Sequence, residues 1–239
     1  MTSLIISDLH LEDKKPEITQ AFLRFLDEKC SSAESLYILG DFFEVWIGDD
    51  VSNPLIEQII TRLKSLAQSG CKLYLMHGNR DFLLGEAFAN ACQLKLLNDP
   101  YLIQHQGENV VLMHGDSLCT DDSDYMAMRP ILRDKAFIAN FLEKSIDERM
   151  VFAQQLRSES TSANQEKSYD IMDVNQAEVI RVLESHQSQI LIHGHTHRPK
   201  VHALEANNQS AQRFVMSDWD NDIFYVELSE QGIALKQFK

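Results

Sequence analysis

The chain has 239 residues, 36 acidic against 22 basic for a formal charge of −14, and is 44% hydrophobic and 24% charged. Its length allows one sizeable α/β domain, with or without an insertion, and its composition is that of a globular protein with no run near the roughly 20 apolar residues of a membrane span. The acidic balance argues against a general nucleic-acid binder, which needs clustered Lys and Arg to displace counterions, but permits a small phosphate-bearing substrate where metal ions dominate the local field.

From the N-terminus, Met1-Thr2-Ser3-Leu4-Ile5-Ile6 enters a strand pattern at once, without the basic region or cleavage site of a signal peptide. Cys30, Cys71, Cys92 and Cys119 form no C-x-x-C pair and read as reduced, buried thiols of a cytosolic protein. One pattern then recurs: a short apolar run, a small residue, and a residue able to bind metal. It occurs at Ser3–Asp8-Leu-His10, Ser35–Gly40-Asp41, Lys72–Gly78-Asn79-Arg80-Asp81, Asn109–His114-Gly-Asp116 and Gln189–Gly194-His195-Thr-His197. Such runs bounded by Gly read as buried strands. Between the first three lie predicted helices at Pro16–Lys29 and Pro54–Gln68, the second with Gly70 as its C-terminal cap. Strand–helix alternation predicts an α/β fold with largely parallel strands and a site beyond their carboxyl ends.

From about Ser117 to Ser188 the strand pattern stops. Pro130 can open a helix. Ile138, Leu142, Ile146 and Met150 recur at helical spacing, flanked by Phe137 and Phe141, with Phe152 and Leu156 beyond. Ser158–Lys167 reads as a polar loop, Asp173–Ser185 as a further helix, and Arg213–Met216 and Ile223–Leu228 as closing strands. The expected organisation is a single domain over 1–239 with a helical insertion at approximately 117–188.

Asp8, His10, Asp41, Asn79, His114, His195 and His197 supply carboxylates, an amide oxygen and imidazoles. That mixture suits two ions of the Mn, Fe, Zn or Co type, about 3.5–4 Å apart, better than Ca or Mg. Alone, Asp-x-His would read as a turn beside a core histidine, Asp41 as a helix cap and Asn79 as a left-handed turn residue. Seven such residues at successive strand ends read as one site. In order and local sequence (D-x-H, G-D, G-N-x-D, H-G-D, G-H-T-H) they resemble the calcineurin-like metallophosphoesterase superfamily. The resemblance makes Asp41 a bridging carboxylate. Asp8, His10 and His197 complete the first metal, and Asn79, His114 and His195 the second. His77 and His193 precede motif glycines and are candidates for orienting ligands; His105, His186 and His202 read as ordinary residues.

Where many superfamily members carry G-N-H-[DE], this chain reads Gly78-Asn79-Arg80-Asp81. Arginine cannot act as an acid, but it holds a phosphate through two parallel hydrogen bonds. A leaving phosphate monoester, with a second pKa of about 6, needs no proton. The substitution therefore favours a pyrophosphate over an alkyl phosphoester.

A closer resemblance is carried by Ser7-Asp-Leu-His-Leu11, Gly40-Asp-Phe-Phe-Glu-Val-Trp-Ile-Gly-Asp-Asp50, Gly78-Asn-Arg-Asp-Phe-Leu-Leu-Gly85, His114-Gly-Asp116 and Gly194-His-Thr-His-Arg-Pro199. Over essentially its whole length the chain is similar to the UDP-2,3-diacylglucosamine pyrophosphohydrolase family of lipid A biosynthesis. That resemblance implies a four-layer α/β/β/α sandwich with a helical lid insertion, and two Mn²⁺ ions per chain. It also implies attack of metal-activated water at the α-phosphorus of the nucleotide–lipid, giving UMP and 2,3-diacylglucosamine 1-phosphate (lipid X). Asp41, Asn79, Arg80 and His195 take catalytic roles on this basis. Substrate contacts fall on Asn79, Arg80, Asp122, Ser160, Asn164, Lys167 and His195. The implied location is the cytoplasmic side of the bacterial inner membrane, as a peripheral protein, with no nucleic-acid partner. Tyr125–Arg157 holds Arg129, Arg133, Lys135, Lys144, Arg149 and Arg157 against four acidic residues. A mildly basic amphipathic insertion suits acyl chains and an anionic membrane surface; the alternative is a helix hairpin packed on the core. At the level of activity the alternatives are a soluble nucleotide pyrophosphatase or another phosphatase, and a scaffold that has lost its metals.

Overall fold

In β1 (Ser3–Ile6) the side chain of Ile5 joins one buried cluster while Leu4 and Ile6 join another. This period-two alternation builds the layers. The structure, a computed structural model, describes residues 2–166 and 173–239. The remaining strands are β2 (Ser35–Leu39), β3 (Lys72–Met76), β4 (Leu94–Leu97), β5 (Tyr101–His105), β6 (Glu108–Met113), β7 (Ile190–His193), β8 (Lys200–Ala206), β9 (Gln209–Val215), β10 (Ile223–Ser229) and β11 (Gly232–Phe238). They form a sheet in the order β11-β10-β1-β2-β3-β4 and a second in the order β5-β6-β7-β9-β8.

Ile5, Leu39 and Met76 of the first sheet meet Val110, Leu112, Ile190 and Ile192 of the second in one dry cluster. The outer face of the first sheet, with Leu4, Ile6, Leu36, Ile38, Leu73 and Leu75, is covered by α1 (Pro16–Glu28), α2 (Pro54–Gln68) and α3 (Glu86–Cys92). On the outer face of the second, Val111, Met113 and Leu191 pack against Val179, Val182 and Leu183 of α7 (Gln176–Ser185). The expected α/β/β/α sandwich is therefore present. The four cysteines are free and buried, and burial pushes the Cys71 thiol up to about 11. No helix among the described residues is long and apolar enough to cross a membrane.

The strand pattern is more mixed than predicted. β1-β2-β3-β4 and β6-β7-β9 pair in parallel, but β10, β11, β5 and β8 run antiparallel to their neighbours. Three of these pairings, β5–β6, β8–β9 and β10–β11, are tight hairpins, while β10 meets β1 from the other end of the chain. β5–β6 turns on Gln106 (φ 51°) and Gly107 (φ 84°), and β8–β9 on Asn207 (φ 54°) and Asn208 (φ 55°). Both place two left-handed residues in the loop, as two-residue hairpins favour. These signals lie in polar, half-exposed strands whose hydrophobic pattern is weak.

The segment between β6 and β7 contains α4 (Ser123–Leu132), α5 (Lys135–Leu142) and α6 (Ile146–Glu166), followed by α7. Two expectations fail here. Pro130 does not open a helix: Asp122 does, its side chain accepting from Tyr125 N at 3.1 Å, and Pro130 sits near the end of α4, which stops two residues later. Ser158–Lys167 is not a loop: α6 continues to Glu166, with no Pro or Gly in that stretch to interrupt it. Lys167 itself lies outside the described residues. α4–α6 are moored to the core by Arg149, whose guanidinium is 2% exposed and donates to Ile47 O at 2.7 Å and to Asp50. Gly48 (φ 137°) is required beneath it, since a Cβ there would lie 2.3 Å from Arg149 Nη1.

Candidate metal centre

Parallel pairing sets Leu39 beside Met76 and Met113 beside His193, so these strands end at a common edge. Within four residues of the strand ends come Asp8, His10, Asp41, Asn79, His114, His195 and His197. Five of them, Asp8, His10, Asp41, His195 and His197, have φ between 49° and 66°. Left-handed backbone at a non-glycine residue costs about 1 kcal/mol or more, and such strain gathers at functional sites. It is held by hydrogen bonds between the loops: Asp8 N to Gly40 O at 3.0 Å, His10 N to Asp41 O at 2.9 Å and Gly194 N to His114 O at 2.9 Å. The motif glycines allow close approach. A Cβ on Gly78 would lie 2.1 Å from Asp41 Oδ1, and one on Gly194 2.0 Å from Asp8 Oδ2. Buried Asp81 ties the second and third loops together, accepting from Gly78 N and Phe42 N, each at 2.8 Å.

The donors fall into two groups, Asp8–His10–His197 and Asp41–His114–His195, with ligand atoms within 4.8 Å of one another in each. Asp41 faces both. Its Oδ2 lies 3.7 Å from His10 Nε2 and its Oδ1 3.7 Å from His114 Nε2. Asn79 Oδ1 lies 3.0 Å from His114 Nε2.

Whether cations fit is decided by where the outer nitrogens bond. His114 Nδ1 donates to Leu39 O at 2.8 Å, His10 Nδ1 lies 2.7 Å from Glu44 Oε2, and His197 Nδ1 lies 3.1 Å from Asp218 Oδ2. Each of these contacts turns the inner Nε2 toward the cluster, the orientation a ligating histidine needs. These inner atoms then face other acceptors: His10 Nε2 and His197 Nε2 are 3.4 Å apart, and His114 Nε2 faces the Asn79 oxygen. Acceptors so close need a proton or a cation between them. Burial opposes charge at His197, yet Asp218 and Asp8 raise it to about 10. Burial, then the charge of His114, lowers His195 to about 3 and leaves it a neutral donor. The set fits divalent ions that accept both nitrogen and oxygen.

Arg80 follows Asn79, its backbone N donating to Asp41 Oδ1 at 2.8 Å, while its Nε is buried without a hydrogen-bond partner. Asp122 caps α4, and Ser160 and Asn164 fall on the last turns of α6. Among the described residues the hydrogen bonds of His77 and His193 go elsewhere than to the ligand rings. His77 Nε2 bonds Leu84 O at 2.7 Å, bracing the Asn79 loop, and His193 Nε2 accepts from Arg213 Nη1 at 3.2 Å.

Glu44, Asp218 and Asp116 were not singled out from the sequence. Glu44 lies in a quoted motif and Asp116 in H-G-D, but Asp218 has no motif around it. Asp116 accepts from Tyr125 Oη at 2.5 Å, Arg129 Nε at 2.7 Å and Arg133 Nη2 at 3.1 Å, so one buried carboxylate two residues beyond His114 anchors α4. Although burial opposes it, His114 and both guanidiniums hold this carboxyl well below the usual range. Asp116→Ala is expected to cost roughly 3 kcal/mol, because two arginines lose their shared partner. Urea unfolding and proteolysis of α4–α6 check this. An unchanged midpoint with undiminished protection would refute the anchor.

A family model of calcineurin-like phosphoesterases matches residues 1–199. A UDP-2,3-diacylglucosamine hydrolase of Marinobacter nauticus is 48% identical over 237 residues, covering 99% of this chain and 97% of its own. The protein of that name from Ectopseudomonas mendocina is 48% identical over 236 residues, covering 99% and 98%. That from Pseudomonas syringae pv. tomato is 47% identical over 235 residues, covering 98% and 95%.

Proposed function

This chain belongs to the calcineurin-like phosphoesterase family, and we propose from that premise that it hydrolyses the pyrophosphate bond of UDP-2,3-diacylglucosamine to UMP and 2,3-diacylglucosamine 1-phosphate. The observation that carries this reading is a cavity of about 120 Å³ beside the donor cluster. Asn79 and Arg80 line it together with Leu132, Phe137, Phe141, Phe152 and Leu156. A lining that joins a phosphate-binding guanidinium to an aromatic and aliphatic wall suits a lipid phosphate. The substrate named for the near-full-length relatives supports it.

We propose that Asp8, His10, Asp41 and His197 would hold one Mn²⁺ and Asp41, Asn79, His114 and His195 a second. When bound, two such ions supply charge neutralisation at phosphoryl oxygens and lower the pKa of water. The chain's own residues do the rest. Arg80 offers a guanidinium at the mouth of the apolar cavity, where its unpartnered Nε awaits an anionic oxygen. The departing monoester leaves as an anion, so no side chain has to protonate it. The ring of Tyr125, held through its hydroxyl by Asp116, lies 6.4 Å from that of His195 and walls the site on the α4 side. The proposed headgroup contacts at Asp122, Ser160, Asn164 and Lys167 rest on the family resemblance.

Turnover of the diacylated substrate with Mn²⁺ in ¹⁸O-water is the test, with label expected in UMP. Label in the sugar phosphate would overturn attack at the α-phosphorus. Arg80→Lys keeps charge without the fork and should lower kcat/KM by about tenfold; Arg80→Ala should lower it by about 100-fold, at 1.5–3 kcal/mol for a charged hydrogen bond.

Peripheral attachment at the inner face of a bacterial inner membrane is part of the same proposal, but by a different contact than the sequence indicates. Four of the six insertion cations are paired: Arg129 and Arg133 with buried Asp116, Arg149 with Asp50, and Arg157, itself 44% exposed, with Glu44. Among the described residues α4–α6 present to solvent an apolar set, Ile131 (60% exposed), Val151 (54% exposed), Leu142, Ile146 and Met150, while exposed Lys135 is outnumbered by exposed Asp124, Asp147 and Glu148. Binding to vesicles is therefore expected to be apolar and to survive added salt, because screening weakens charge contacts alone. Loss of binding between low and high salt would restore the electrostatic reading.

A further inference from the structure

A second cleft, of about 370 Å³, lies on the other flank of the donor cluster, between the Thr196–Lys200 loop and the strands β8 and β9. It shares no lining residue with the apolar cavity: His197 stands at its edge, as Asn79 stands at the edge of the other. We propose that this cleft receives the nucleoside half of the substrate. The inference rests on the nucleotide–lipid reading above.

The chemistry of the two halves separates them. A pyrophosphate cut at its centre carries one substituent away from the donor cluster in each direction. Acyl chains require the phenylalanine-lined cavity, so the uridine, with its carbonyl oxygens and ribose hydroxyls, needs hydrogen-bonding walls elsewhere. The cleft provides them. Arg213 is 5% exposed and forms no ion pair among the described residues, and its Nε has no hydrogen-bond partner. Thr196 Oγ1, also buried, has none either. Buried polar atoms in a native protein are nearly always satisfied, so two orphans beside one cleft mark where a ligand or water bonds. His202 pairs directly with Arg213 across β8–β9, and Lys200, two residues away on β8, shares its face. The cleft also holds Asp173, which accepts from Arg198 Nη1 at 2.6 Å; after burial, the charges of Arg213 and Lys200 lower His202 from its ordinary value against the opposing charge of Asp173.

The experiment is calorimetric titration of the Mn²⁺-loaded protein with UMP and, separately, with inorganic phosphate. Lys200 is exposed and His202 half-buried, so Lys200→Ala, His202→Ala and the double variant should fold. The double variant is expected to weaken UMP by about tenfold, the loss of one charged hydrogen bond, with phosphate affinity and turnover of a small phosphodiester unchanged. UMP affinity unchanged in the double variant would overturn the assignment. So would an equal loss for phosphate, which would make the cleft an anion site with no claim on the nucleoside. If UMP behaves as expected while the wild-type protein leaves the diacylated substrate intact, the cleft stands and the lipid reading falls.

Discussion

Asp41→Ala is expected to cut turnover at least about 1,000-fold, since the ions it would share supply several kcal/mol of transition-state stabilisation at 1.36 kcal/mol per tenfold. The magnitude follows from its position: one oxygen faces His10 and the other His114, so its loss weakens both halves of the cluster together. The fold should survive. Burial pushes the Asp41 carboxyl above the usual carboxylate range, so in metal-free protein this charge is a cost at neutral pH that truncation removes. Asp41→Asn is the matched control, because Asn tolerates left-handed backbone (φ 49° here) and still accepts from Arg80 N. Metal analysis and melting with Mn²⁺ or chelator report the outcome. Wild type should gain thermal stability from Mn²⁺ and both variants should gain little. His197→Ala should lose chiefly one ion. An Asp41→Ala protein retaining two tightly bound ions would remove it from the bridging position.

Filling the apolar cavity is expected to have the next largest effect, and to be selective. Phe141 is buried and its ring centre lies 5.3 Å from that of Phe152 and 6.1 Å from that of Phe137, so the three form one wall. Phe141 belongs to the main core cluster as well, and truncating it alone would cost about 3–5 kcal/mol of stability. Ala153→Phe is the cleaner change, adding a ring to the cavity lining without opening a void. If four methylenes are displaced at about 0.8 kcal/mol each, kcat/KM for the diacylated substrate should fall on the order of 100-fold. Metal content and hydrolysis of a small phosphodiester should not change. Phe137→Ala, at a partly buried ring, should lower the same ratio in the same direction. Wild type should strongly prefer acylated over unacylated UDP-glucosamine; equal kcat/KM for the two would reduce α4–α6 to a structural hairpin.

The seven candidate donors were legible because chemistry and strand ends are local: each sits within four residues of a run of Leu, Ile and Val. The apolar runs likewise marked buried strands, but the packing of two sheets face to face was implied only by the family resemblance, since Leu4, Ile5 and Ile6 are all apolar and their division between two clusters is seen only in the structure. What sequence could not supply is partnership at long range. Glu44 behind His10, Asp218 behind His197 and the Tyr125, Arg129 and Arg133 donors on Asp116 were outside its reach. The insertion shows the consequence most clearly. From sequence, Arg129, Arg133, Arg149 and Arg157 are surface cations that make the segment basic. In the tertiary structure each finds a carboxylate, and for Arg129, Arg133 and Arg149, which are largely withdrawn from water, a partner that meets the guanidinium donors is what makes that position stable. Charge is written in the sequence; whether that charge faces solvent or holds a helix over the site is decided by packing alone.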